Sequence, residues 1–294
     1  MIEHKINGKT AVYGILGESV ENSLSPIIHN AAFIFMEANS VYLPFHISSG
    51  GLKDALRGLS EIGVKGFNVT IPFKEKIMPY LDRISKEAHK IGSVNTVKLE
   101  EGSYVGYNTD HMGFIESLRR KGFDPNRKRC TIIGAGGAAR SSIYQLILNG
   151  ADTILIVNRN FGNAEKVTED FERKMKFDSK LMPMGLDQKN VEKMIMGTDL
   201  VVNATPVGMK GYEPQFNMMN RWFRQGMITF DMVYGPGKTP FVEASISNGC
   251  VSIDGLEMLI YQAAEAFKIW TDDNPPIDEM RRAAKEGVGC KKDG

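Results

Sequence analysis

Cysteine is scarce in this chain: three in 294 residues, Cys130, Cys250 and Cys290, an odd number with no C-x-x-C spacing. A disulfide framework and a thiolate zinc site are therefore not expected, and a reducing compartment is. Net charge is nearly absent as well. Lys and Arg total 36 against 35 Asp and Glu, a formal +1, so no basic field marks the chain for nucleic acid or an anionic membrane. No apolar run is long enough to span a bilayer, and the opening MIEHKINGKT is polar, without the apolar stretch of a signal peptide. A soluble, cytoplasmic protein is the expectation. The five histidines (His4, His29, His46, His89 and His111) lack metal-ligand spacing and read as structural, and no G-x-S-x-G elbow supports serine-nucleophile chemistry. What is plentiful is hydrophobic residue, 42% of the chain, enough for one large or two ordinary domains.

The most informative stretch is glycine-rich. CTIIGAGGAARSSIYQLILNG (130–150) reads as strand, tight turn and helix. A G-x-G-x-x-A turn in that setting lets backbone N–H groups meet a pyrophosphate at a helix N-terminus, which selects Gly134, Ala135, Gly136, Gly137 and Ala138 as cofactor-binding. ADTILIVNRN (151–160) follows as a second strand that ends in Asn158-Arg159 rather than an acid. An acid there would accept the ribose 2′-hydroxyl of NAD, whereas an arginine suits the 2′-phosphate of NADP. The alternative for Arg159 is a solvated surface side chain.

Strands and helices alternate along the whole chain. TAVYGIL, VYLPFHI, VKGFNVTI and VNTVKL read as strands of a first α/β unit with a mostly parallel sheet. Its helices are expected from an N-cap at Ser25 with Pro26 in the first turn to about Ala38, over LKDALRGLSEIG, from Lys74 onward, and over SKEAHKIG. A helix from Asp110 leads through the loop FDPNRKR to the glycine-rich strand, and TILIVN, DLVVN and MITFDM continue a Rossmann-type unit. Two helices close the chain. The first, GLEMLIYQAAEAFKIW, is apolar on most faces and must be buried; the tail GCKKDG is expected to fray. The organisation expected is an α/β protein of two domains: a substrate-binding and catalytic domain over 1–110, completed by C-terminal helices over 255–294, and a Rossmann NADP-binding domain over 111–254.

Polar residues cluster where apolar strands end in the first domain. NSLSP, NVTIPFK and GSVNT place Ser23, Ser25, Asn68, Thr70, Lys74 and Asn95 beyond strand ends, where open α/β sheets hold ligands. Taken singly, Ser25 also reads as a helix cap, and Asn68 and Asn95 as partners of loop backbone. GYNTD places Asp110 at the start of a helix, where a carboxylate is favoured by the dipole alone. Paired across a cleft with Lys74, it makes an ammonium–carboxylate couple that passes a proton to a developing alkoxide as hydride arrives. A neighbouring carboxylate favours the charged amine, so Lys74 is expected to act as proton donor in the reducing direction.

These motifs, in this order, resemble the shikimate dehydrogenase family from about Val12 to Trp270: ENSLSP, GFNVTIPFK, GSVNT, GYNTDHMGF, GAGGAAR, NRN, NATPVGM, DMVYGPGKTP and DGLEMLIYQAAEAF. The resemblance implies reversible reduction of 3-dehydroshikimate by NADPH. It implies that Ser23 and Ser25 bind the substrate carboxylate with Tyr234 nearby, that Thr70, Asn95, Asp110 and Gln262 bind its hydroxyls, and that Lys74 is catalytic with Asp110. Asn158, Arg159, Asn160 and Asn163 would hold the 2′-phosphate end, and Thr205, Met232 and Gly255 would line the nicotinamide side. The chain departs from the family twice. Phe73 stands where histidine is common, at a position that need not touch substrate. Asn163 stands where NADP-specific members often carry a second cation, the next one here being Lys166. The second departure keeps a quinate/shikimate dehydrogenase with NAD tolerance as an alternative. A non-catalytic NADP-binding sensor is the alternative from another class, and the presence of both Lys74 and Asp110 argues against it. Monomer and homodimer are both compatible with the sequence.

Overall fold

The structure, a computed structural model, describes residues 6–189, 191–209, 212 and 221–290. His4 and residues 291–294 of the tail, where fraying is expected, lie outside the described residues. The chain divides into two compact units, one of Met1–Thr109 with Leu259–Gly294 and one of Asp110–Met258.

In the first unit β1 (Ala11–Gly17), β2 (Ser40–His46), β3 (Gly66–Val69), β4 (Arg83–Ile84), β5 (Thr96–Glu100) and β6 (Ser103–Tyr107) form one sheet, ordered β2-β1-β3-β5-β6-β4. β1 pairs parallel with β2 and β3, and β4 with β6; β5 runs antiparallel to β3 and β6. The mostly parallel sheet expected is present, with two antiparallel pairings added. The β5–β6 pairing arises because only Glu101 (φ 49°) and Gly102 (φ 80°) separate the two strands. Two successive left-handed residues make a tight hairpin turn, which returns the chain antiparallel.

Three helices connect these strands: α1 (Ser25–Phe35), α2 (Leu52–Glu61) and α3 (Lys86–Ile91). Helix α2 buries Leu52, Leu56 and Leu59, one stripe at helical spacing. Two local expectations fail here. Ser25 is not the cap of α1: Leu24 already has helical dihedrals and stands at the N-cap, no side chain caps the helix, and Ser23 Oγ accepts from Ser25 N at 3.2 Å. No α-helix starts at Lys74. Residues 74–77 form turns, and one 3₁₀ turn follows at Met78–Tyr80. Pro79 lacks the N–H that an α-helix would direct to Glu75, and the Lys74 carbonyl accepts from Val94 N at 2.8 Å instead. Phe73 and Ile77 are fully buried in the cluster that also holds Leu16, Phe67, Val69 and Val97.

The closing helices are α9 and α10 in chain order, Gly255–Thr271 and Ile277–Cys290. Chain passes from the second unit back to the first within α9, and its last turns are buried as expected. Phe267 and Trp270 pack with Tyr13, His29, Phe33 and Tyr42, ring centroids 4.4 Å apart for His29–Tyr42 and 5.3 Å for Tyr13–Trp270. Trp270 Nε1 donates to Val97 O at 2.9 Å, which fastens α9 to β5.

The second unit holds β7 (Arg129–Ile133), β8 (Thr153–Asn158), β9 (Lys180–Gly185), β10 (Leu200–Asn203), β11 (Ile228–Asp231) and β12 (Val251–Ile253). All neighbours are parallel, in the order β12-β11-β10-β7-β8-β9. That is the doubly wound order of a dinucleotide-binding sheet. Its helices are α4 (Asp110–Arg120), α5 (Gly137–Leu148), α6 (Phe161–Lys174), α7 (Val191–Met196) and α8 (Pro240–Ser247). Among the described residues no helix is long and apolar enough to cross a membrane, and Cys130 and Cys250 are free thiols.

Candidate functional site

In the first unit the strand order reverses between β2, β1 and β3, so the carboxyl ends of β1 and β3 lie side by side. Ligands bind at such switch points. Thr70 N donates to Leu16 O at 3.0 Å there. Ser23, on the loop after β1, is half-buried, while Ser25 is buried. Because β5 is antiparallel, its amino end reaches the same place: Asn68 pairs with Thr96, and Thr96 with Tyr107 at the end of β6.

A buried polar network forms at this end of the sheet. Tyr42 OH donates to Asn68 Oδ1 at 2.7 Å. The Asn68 amide donates to Asn95 O at 3.2 Å and to Thr96 Oγ1 at 3.0 Å. Thr96 Oγ1 donates to Asn95 Oδ1 at 3.1 Å. The Asn95 amide donates to Thr109 Oγ1 at 3.0 Å and to Gln262 Oε1 at 3.4 Å, and Asn95 Oδ1 accepts from Thr109 N at 2.7 Å. Gln262 Nε2 donates to Leu259 O at 2.8 Å. Each amide is thereby fixed in orientation, with low-dielectric surroundings strengthening every bond. His29 stacks on Tyr42 at 4.4 Å, and complete burial lowers its pKa to about 3, so the ring stays neutral.

Of the residues the sequence singles out, Asn68, Asn95 and Gln262 are thus joined in one network. Thr70 and Lys74 are half-buried and follow β3. Asp110 is buried and is the first residue of α4, directly after Thr109. Tyr234 is half-buried after β11 in the second unit. The residues that sequence reasoning missed are the supports: Tyr42, Thr96 and Thr109. Thr96 and Thr109 lie inside GSVNT and GYNTD, but nothing in the spacing distinguishes a support from a ligand. Fixed amides, the half-buried hydroxyls of Ser23 and Thr70 and one ammonium together suit a small anion bearing hydroxyl groups.

In the second unit Gly134 follows β7 with φ +122°, and a Cβ there would stand 2.8 Å from Ala204 O. Only glycine satisfies both the dihedral and the approach. Gly136 is the N-cap of α5, which has no side-chain cap and no acid in its first turn. A Cβ on Gly136 would meet nothing within 4 Å. Helices α3, α6 and α8 are capped by Ser85, Asn160 and Thr239, whereas α5, like α1 and α2, has no side-chain cap, and the glycine at its N-cap faces open space. Ala135, Gly137 and Ala138 are half-buried around it. This cradle fits a pyrophosphate.

At the end of β8 Asn158 is half-buried and Arg159 exposed. Asn158 Nδ2 donates to Asn160 O at 2.9 Å, and Asn160 Oδ1 accepts from Gly162 N at 3.1 Å. Asn160 therefore shapes the turn as the cap of α6. Asn163 and Lys166 are exposed on that helix. A guanidinium with no acid at the strand end fits a 2′-phosphate. Thr205 and Met232, after β10 and β11, are half-buried. Gly255 opens α9, where a Cβ would stand 2.3 Å from Met232 O.

Comparison with known proteins covers both units. Residues 15–97 match the family model of the shikimate dehydrogenase substrate binding domain, 117–231 that of shikimate / quinate 5-dehydrogenase, and 255–285 that of the shikimate 5′-dehydrogenase C-terminal domain. The shikimate dehydrogenase (NADP(+)) of Methanopyrus kandleri is 40% identical over 283 residues, 96% of this chain and 97% of that protein. A crystal structure of a shikimate dehydrogenase in complex with NADP+ superposes with a TM-score of 0.86 at 39% identity, covering 97% of this chain and 98% of the other. The shikimate 5-dehydrogenase of Listeria monocytogenes, solved with shikimate and NAD, gives 0.84 at 36% identity over 95% and 97%.

Proposed function

This chain belongs to the shikimate dehydrogenase family, and from that premise we propose that it catalyses the reversible reduction of 3-dehydroshikimate to shikimate with NADPH, a step of aromatic amino-acid biosynthesis. It is an NADP-dependent oxidoreductase. The observation that carries the assignment of residues is the fixed network Asn68–Thr96–Asn95–Thr109–Gln262, which runs directly into Asp110. Free thiols at Cys130 and Cys250 suit a cytoplasmic setting.

NADPH, when bound, supplies the hydride that reaches the ketone carbon. The uncapped turn of α5 holds its pyrophosphate, and Arg159 its 2′-phosphate, with Asn158, Asn160 and Asn163 around it. Thr205, Met232 and Gly255 line the nicotinamide side. Ser23 and Ser25 hold the substrate carboxylate, with Tyr234 near it. Thr70, Asn95, Asp110 and Gln262 bind the hydroxyls. Both Asn68 N–H groups already donate inside the protein, so Asn68 serves the ligand as an acceptor. Lys74 donates a proton to the oxygen that gains negative charge, and Asp110 orients the ammonium and a hydroxyl.

The test is the initial rate of NADP+ and NAD+ reduction, each with shikimate and with quinate. Turnover with shikimate and NADP+ is expected, with a loss in kcat of about 10²–10⁴ in Lys74→Ala. Unchanged turnover in that variant overturns the role of Lys74. One observation favours a second reading: Arg159 is followed by the neutral Asn163 and then by Lys166 a turn later. A single guanidinium discriminates less strongly against NAD, so comparable rates with NAD+ or quinate would place the enzyme with the quinate/shikimate dehydrogenases. No turnover with any pair would favour an NADP-binding sensor.

A further inference from the structure

The second unit contains a buried carboxylate that none of the roles above uses. Asp231 ends β11 and is fully buried. Its register partner on the neighbouring strand is Asn203, which ends β10 and is also buried. Asp231 Oδ1 accepts from Asn203 Nδ2 at 2.9 Å and from Val233 N at 3.1 Å. Its Oδ2 accepts from Thr239 Oγ1, and Thr239 caps α8. These donors are all neutral. Burial is the main influence on the carboxyl and raises its pKa to about 6, despite the three hydrogen bonds. An apolar residue of similar size would fill the space without that desolvation cost, so packing does not explain an acid here.

What Asp231 organises is a pair of turns. Asn203 Nδ2 also donates to Val207 O at 3.1 Å, and Asn203 Oδ1 accepts from Thr205 N at 3.2 Å and Thr205 Oγ1 at 2.6 Å. Thr205 Oγ1 in turn accepts from Val207 N at 3.3 Å. The turn after β10 is thus built around Asn203, and Asn203 is held by Asp231. On the other side the bond to Val233 N fixes the peptide that follows Met232. Backbone packing leaves little slack: Gly208, at φ +104°, approaches Thr239 closely enough that a Cβ would stand 3.1 Å from it, and Gly255 abuts Met232 O.

We propose that Asp231 is a positioning residue for hydride transfer, its carboxylate locking the turns after β10 and β11 so that Thr205 and Met232 meet the nicotinamide in one orientation. This rests on the NADP-dependent reaction assigned above. Asp231 does not itself touch the cofactor. Two turns are cross-linked by one acceptor group, and removing it frees both at once, whereas the 2′-phosphate site at the end of β8 is built by other elements.

The test compares Asp231→Ala and Asp231→Asn with the wild type. Three quantities are measured: kcat and KM for shikimate oxidation, the Kd of NADP+, and the Kd of adenosine 2′,5′-bisphosphate, which carries the adenosine half without the nicotinamide. Asp231→Ala is expected to lower kcat about a hundredfold, the scale of an ångström's misplacement. The bisphosphate should bind within about twofold of wild type, so that the advantage of NADP+ over the fragment shrinks. Asparagine can accept at Oδ1 from Asn203 and Val233 and donate from Nδ2 to Thr239, so Asp231→Asn should restore kcat to within about threefold. If Asp231→Ala does not fold, Asn203→Ala cuts the link between the turns and should give the same split. Equal kcat in the alanine variants, an equal loss of fragment binding, or an asparagine variant as slow as alanine each overturns the proposal. A wild type that binds NADP+ and does not oxidise shikimate overturns the assigned reaction instead, and the comparison of NADP+ with its fragment still tests Asp231.

Discussion

Replacing Asp231 by asparagine should make the protein gain stability relative to the wild type as pH rises from about 4 through about 6, the gain levelling off above that. The carboxyl titrates at about 6 in the fold against an ordinary 3.8, burial being the main cause. A raised pKa means that the fold favours the neutral acid. The stability that goes with the neutral form is complete below about pH 3.8 and is lost as pH rises through about 6. The gap of roughly two pH units corresponds to about 3 kcal/mol. About 2 kcal/mol of this falls between about pH 4.5 and about pH 8. Asparagine keeps the shape and does not titrate, so the stability difference between variant and wild type should widen by that amount across the interval, while effects of other groups cancel. Urea unfolding read by tryptophan fluorescence measures it. Trp222 is buried in the same unit as Asp231, and Trp270 belongs to the other unit. A Trp270→Phe background therefore lets Trp222 report alone. A difference that stays flat within about 0.5 kcal/mol, or narrows as pH rises, refutes the account of a desolvated carboxylate.

Two further outcomes follow from the cofactor side. Arg159→Ala should raise KM for NADP+ by about ten- to a hundredfold, the worth of a charge-assisted contact of about 1.5–3 kcal/mol, and leave KM for NAD+ nearly unchanged; equal effects on both cofactors would remove Arg159 from the 2′-phosphate. Gly255→Ala puts a methyl 2.3 Å from the Met232 carbonyl oxygen, a backbone atom that cannot swing away. It should cost about 1–3 kcal/mol, seen as a lower Tm, and weaken NADP+ binding; an unchanged Tm would mean that α9 can start elsewhere.

Elements whose local chemistry and tertiary role agree are legible in the sequence. TILIVN is β8 residue for residue, because a strand buried on both faces must be apolar throughout. The strands that escaped reading lack that agreement. β9 is KLMPMG, with a proline and no β-branched residue. It is tolerated because it lies at the sheet edge, where a missing N–H removes no ladder bond. β12 is three residues long, and its pairing with β11 rather than its composition makes it a strand. The helix expected from Lys74 fails for the converse reason. Its apolar spacing is real, but Phe73 and Ile77 go into the core from turns, and Pro79 breaks the ladder.

The candidate site divides along the same line. Residues offered to a ligand sit in motifs with a recognisable chemical purpose, such as a glycine turn or an arginine at a strand tip. Their supports carry no such mark. Thr96, Thr109, Asn203 and Asp231 are polar residues at or just beyond strand ends, as are Asn68, Asn95 and Thr205, and one dimension cannot separate the two sets. Three dimensions separate them by what their polar atoms bond. Asp231 has three neutral donors converging on it and no exposed surface, whereas Thr205 and Met232 beside it remain partly open. A buried acid without a cationic donor is costly, and its bonds lead to the two turns rather than into the core. The desolvation cost of Asp231 is borne at the one place where a single acceptor ties both turns together.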